Sequence, residues 1–165
     1  MSYDINVLVI GQESPSEMPN NTRIELINEF EEPLRYKDMW SFMSHSKGIW
    51  YCLGIMESEW FNSMSIVDAD FDKEQADIQV PYWVEDEDVK SNLKPLIVND
   101  KYKTEFSNII RFLIKQSPTK TIMFLTRYQG GEKEIICGVI SFEEFNLLLN
   151  KNEILFNTCY IINEE

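Results

Sequence analysis

Three acids at alternate positions, Asp68-Ala-Asp70-Phe-Asp72, form the first place in this sequence where residue type and spacing could do chemistry. Side-chain oxygens so spaced can fold round one hard cation, as at the start of a calcium loop. The pattern then departs from such a loop twice. Lys73 takes the sixth position, where the sharp turn needs glycine, and Gln79 takes the twelfth, where a bidentate glutamate closes the shell. An exposed, alternately polar segment accounts for it better. A second outline is Asp70 followed by Asp88-Val89-Lys90, which has the form of a metal centre for phosphodiester hydrolysis. There two carboxylates hold Mg²⁺ and the lysine orients a water. Here the triplet sits in the charged run Glu85-Asp86-Glu87-Asp88, not in an apolar strand, and so negative a surface repels DNA phosphate.

His45 is the only histidine, so a zinc site would need cysteine or carboxylate for its other ligands, and no C-x-x-C supplies them. His45 and Cys52 could meet across a hairpin as base and nucleophile. No helix N-terminus or basic neighbour is there to lower the Cys52 pKa, and His45 reads as a surface residue in a turn. Cys52, Cys137 and Cys159 are odd in number and lie among apolar neighbours, which suits reduced core thiols in a cytoplasmic protein. Gly130-Gly131 precedes no helix start and reads as turn chemistry, not as a phosphate loop. Nucleophile-elbow, zinc-protease and P-loop motifs are absent from the sequence. These residues predict a protein without a catalytic centre, metal or cofactor.

Charge carries more information. The 165 residues hold 15 Lys and Arg against 28 Asp and Glu, a formal net charge of −13. Eleven acids and one base fall between Glu57 and Asp88, so this fifth of the chain carries −10. Nucleic acid and anionic membrane both need basic residues opposite them, and this surface offers them little. A basic protein partner is the expected complement. Aromatic residues interleave with the acids. Glu57 and Glu59 precede Trp60; Asp68, Asp70 and Asp72 surround Phe71; Tyr82 and Trp83 precede Glu85, Asp86, Glu87 and Asp88. Aromatic anchors within an acidic rim suit a protein interface, although Trp60 and Trp83 would serve equally as core residues.

Elements to position these residues are legible in outline. Hydrophobic residues make up 44% and aromatics 13%, enough for one folded domain over residues 1–165. No apolar run approaches the roughly eighteen residues that span a bilayer, and residues 5–10 read as a first strand rather than a leader. Thr22 to Glu32 fits either a helix opened by a Thr22/Glu25 capping box or a strand, since Ile24 and Leu26 alternate. Residues 35–43 and 49–56 suggest a hairpin round His45, and residues 78–84, with Pro81 inside, an edge strand. Asn99 and Asp100 cap a helix whose stripe is Tyr102, Phe106, Ile109, Ile110 and Leu113, stopped by Ser117-Pro118. Residues 121–129 and 135–140 read as two strands joined in a hairpin by the turn at 130–134. Ser141 and Glu144 form a capping box for a helix burying Phe142, Phe145, Leu148 and Leu149, and residues 154–162 close the chain as a strand. A helix between two strands that lie side by side is a crossover. The expected fold is therefore α+β: a single domain with a mixed, mostly antiparallel β-sheet and two or three helices packed on it.

In size, acidity, lack of catalytic residues and this α+β pattern, the chain resembles the immunity proteins of bacterial polymorphic-toxin and contact-dependent-inhibition systems. The acidic aromatic stretch 57–88 and the hairpin, capped helix and strand of 121–162 carry the resemblance. It implies a cytoplasmic antitoxin that covers the basic cleft of a toxin, such as a nuclease, with an acidic surface. Other classes remain open: a DNA-mimicking inhibitor of a defence or restriction enzyme, with carboxylates spaced like phosphates along one face; an enzyme with a pocket lined by His45, Cys52 or buried carboxylates; or a structural assembly protein with a large apolar patch. The sequence leaves the oligomeric state undetermined.

Overall fold

Apolar residues occupy both faces of several strands, and this pattern dictates which strands are central. A computed structural model describes residues 3–17, 22–31, 47–57, 59–68, 95–128 and 135–165. The His45 turn, the 35–43 and 78–84 strands, the 130–134 turn and most of the acidic stretch, including Asp70, Asp72, Tyr82, Trp83, Glu85, Asp86, Glu87 and Asp88, lie outside the described residues. Strand β1 (Tyr3–Ile10) turns Ile5, Val7 and Val9 to one face and Asn6 and Leu8 to the other, all of them buried. It accordingly lies inside the sheet, antiparallel to both β3 (Gly48–Glu57) and β6 (Thr121–Tyr128). Strand β2 (Glu25–Asn28) flanks β3 on its other side, and β9 (Thr158–Asn163) lies between β6 and β7 (Ile135–Ser141). The order is β2-β3-β1-β6-β9-β7, with β4 (Trp60–Asn62) also paired to β3. Every pairing is antiparallel except that of β7 with β9. The architecture is α+β with a mixed sheet.

Two α-helices among the described residues cover one face. Asn99 Oδ1 accepts from Lys101 N at 3.2 Å and starts a 3-10 turn, Asp100–Tyr102, that runs into α1 (Lys103–Gln116). Phe106, Ile109, Ile110, Leu113 and Ile114 recur at helical spacing and are all buried. The helix stops at Ser117, which is extended because Pro118 follows it. Ser117 Oγ donates to Ile10 O at 2.6 Å and ties this end to β1. Ser141 caps α2 (Phe142–Lys151) by accepting from Glu144 N at 3.1 Å, and Asn152 ends it in the left-handed region. Edge-to-face contacts run from Phe106 through Phe124 and Phe145 to Tyr160, joining α1, β6, α2 and β9.

Three local expectations resolve differently or more finely here. Within the 22–32 segment, Glu25–Asn28 take the strand alternative, because β2 supplies backbone partners to β3. The 121–140 hairpin does not form: β9 sits between β6 and β7. Thr158, Cys159 and Tyr160 of β9 are buried, so β9 needs a neighbour on each side, whereas β7, with Ile136 and Val139 exposed, suits the edge. The closing strand is also divided. Asn157 has φ +56 and separates β8 (Ile154–Leu155), paired with β5 (Pro95–Leu96), from β9. The crossover is present, since β7, α2 and β9 form a parallel unit.

Candidate docking hairpin

Strand β3 outruns its neighbours. Ile55, Met56 and Glu57 lie beyond the register of β2, and β4 folds back on them with Ile55 opposite Asn62, Met56 opposite Phe61 and Glu57 opposite Trp60. Gly54 makes this closure possible. The Phe61 ring lies over it so closely that a Cβ there would stand 2.6 Å from Phe61 Cζ. Asn62 Oδ1 then accepts from Met64 N at 2.8 Å and turns the chain into the 3-10 segment Ser63–Ile66. Ser63 is buried beneath it; its Oγ donates to Leu53 O at 2.5 Å and accepts from Ile5 N at 3.4 Å. Buried Ile66 and the bridge between Val67 and Val98 complete the anchoring.

On this rigid base the tip is exposed. Trp60 leaves 78% of its surface to solvent, an unusual state for so large an aromatic. Cross-strand alternation puts Glu57 beside it on one face and Met56 with Phe61 on the other. Glu57, Glu59 and Asp68 are exposed, and none has an ion pair with a described residue. Met56 and Met64 are exposed as well, and the sequence reading passed over both. Met56 pairs across the hairpin with Phe61, beyond the register of β2, and Met64 lies in the 3-10 turn that follows. Four residues expected at a partner surface, Glu57, Glu59, Trp60 and Asp68, thus fall on the hairpin and the turn that follows it. Trp60 takes the exposed of its two open alternatives.

An open cavity of about 440 Å³ is lined by Ser16, Glu17, Glu25, Asn28, Glu31 and Tyr51, among others. Its glutamates are exposed. The Tyr51 hydroxyl donates to Gln12 Oε1 at 2.6 Å and accepts from Ser16 N at 3.2 Å. Burial, and to a smaller extent the Glu31 charge, pushes its pKa up, so it stays protonated as a buried tie. None of the three cysteines forms a disulfide. Burial, with Cys137 close by, pushes the Cys159 thiol up to about 12, and burial also raises Cys137. Thiols held protonated are poor nucleophiles. Cys52 is buried with Sγ 3.5 Å from Ser63 Oγ; the residue with which it was considered as a pair, His45, is outside the described residues. Among the described residues no group of three His, Cys, Asp or Glu is placed to hold a metal ion, and no helix is long and apolar enough to cross a membrane. The chain matches no protein-family model, no curated protein and no solved structure.

Proposed function

We propose that this protein is a non-catalytic binding protein, an immunity-type inhibitor that docks on a basic partner through the β3–β4 hairpin and the acidic stretch following it. The observation that carries the reading is Trp60, 78% exposed on an anchored hairpin beside the carboxylates of Glu57 and Glu59. An aromatic held in solvent at a fixed place suits an interface anchor, because ordering it again on binding costs little entropy. The surrounding acids speed encounter with a cationic surface and disfavour anionic partners. A toxin domain whose cleft is shaped for phosphate is such a partner, and the site of action would be the cytoplasm.

The test is co-purification from the native host with tagged protein at low and then at high salt. The expected result is one basic protein, released by salt and retained poorly by Trp60→Ala. A variant with Asp68, Asp70, Asp72 and Asp86 changed to Asn should likewise protect less well against that partner. Capture that ignores both salt and these substitutions would sink the reading.

A further inference from the structure

The opposite end of the sheet presents a different surface. Strand β7 pairs with β9 alone among the described strands, and its further hydrogen bond is the side-chain cap that Ser141 Oγ accepts from Glu144 N. Among the described residues, no backbone group on its outward side has a partner. The strand reads Ile-Ile-Cys-Gly-Val-Ile-Ser, seven residues without a charge or a proline. Protected edges carry lysine, proline, short strands or bulges. Here the one such device is the irregularity between Ile136 and Gly138, after which Gly138 to Ser141 pair regularly.

The side chains point the same way. Ile136 lies opposite Cys159 and Val139 opposite Ile161, so both project from the face that α1 and α2 leave bare. Cys159 is buried and Ile161 half-buried, while Ile136 is 43% and Val139 63% exposed. An apolar stripe thus runs outward across the sheet and ends in water at β7.

Charge decides what can cover it. Two chains of net charge −13 repel each other, and Glu57 and Glu59 on the β3–β4 hairpin are among the exposed acids that do so. From β3 to β7 the order takes four steps, roughly 19 Å at the usual strand spacing, beyond a Debye length of about 8 Å at physiological salt. The strand itself sets no charge against its counterpart when two copies approach edge to edge, and its exposed side chains, Ile136 and Val139, are apolar and give a basic partner nothing to select. An antiparallel two-fold pairing would set each stripe against its own counterpart, as a self-complementary interface requires. We infer that β7 is a self-association edge, at which two copies of this chain pair β7 with β7 into one continuous sheet.

Sedimentation and light scattering from low micromolar to about 0.2 mM test this, at physiological and at raised salt. A dimer is expected whose fraction rises with concentration and does not fall as salt is raised. Val139→Lys, at an exposed position, should raise its dissociation constant at least about tenfold with an unchanged circular dichroism spectrum. Amide exchange on wild type supplies a second readout, with β7 amides slowing as concentration rises. A monomer throughout the range, or a dimer indifferent to Val139→Lys with no slowing in β7, overturns the inference. Trp60→Ala leaves this dimer intact, so failure here and failure of the hairpin reading are separable.

Discussion

The β3–β4 hairpin and the β7 edge are both rims of one sheet, and both expose apolar side chains that a folded protein would ordinarily bury. They differ in charge. At the hairpin, Trp60 sits among exposed carboxylates; at β7, Ile136 and Val139 sit on a strand with no charge at all. The contrast teaches that exposed apolar area marks an interface without naming its partner. Surrounding charge makes that choice: acids select a basic protein and tie binding to ionic strength, whereas a neutral edge accepts another neutral strand.

Several experiments would break or sharpen this comparison, and the largest effect is expected in alkali. Cys159, Cys137 and Tyr160 lie on the β7 side of the sheet, and all three pKa values are raised in the fold, chiefly by burial. A raised folded pKa means stability that is full below the unfolded value and lost as pH climbs through the folded one. Starting from an ordinary thiol value of 9.0 and a folded value of about 12, Cys159 alone should cost up to about 4 kcal/mol across that window. Urea midpoints measured between those limits should fall, and less steeply for Cys159→Ala. Equal slopes for the two would show that this thiol is not the titrating group.

Next in size is Trp60→Ala, which should weaken the captured partner by about 2 kcal/mol or more while leaving the unfolding midpoint and the β7 dimer unchanged. Titration calorimetry and light scattering on the same sample read both. If the dimer is lost as well, the two rims are not independent.

Gly54→Ala tests the hairpin's footing. The Phe61 ring must move off its seat, and a loss of roughly 1–3 kcal/mol in stability is expected by denaturant unfolding, with partner binding weakened. Unchanged stability would mean that Phe61 does not hold the hairpin down.

The smallest effect belongs to single charges. Glu57→Gln and Glu59→Gln should each weaken partner binding by under about 1 kcal/mol, mostly through the association rate, and flatten its salt dependence. Stopped-flow association at two salt concentrations would show this, and an undiminished rate would remove these two acids from the steering surface.

Much of the fold was legible because local chemistry wrote it. The stripe from Phe106 to Leu113, the Asn99 and Ser141 caps and the Pro118 stop depend on neighbours within one turn, and they appear where the pattern put them. The 22–32 segment stayed ambiguous because a capping box and a strand alternation fit the same residues. The missing hairpin between β6 and β7 has a similar cause: a glycine turn between two apolar strands says that the chain reverses, not that the strands touch. The site was legible in kind, since Trp60 and its acids stand together in sequence, but whether that tryptophan was core or surface depended on Gly54, Phe61 and Ser63.

Composition and order along the chain, then, determined the class of the protein: an acidic α+β domain whose charge is concentrated beside aromatic residues. Those properties follow from residue type and from contacts a few positions apart. Only the tertiary structure decided that β9 divides β6 from β7, that β7 is left as a neutral edge, and that Trp60 faces solvent. Each of these is a competition among strands for a limited number of neighbours, and its outcome depends on residues tens to over a hundred positions apart, as when Ser117 bonds Ile10.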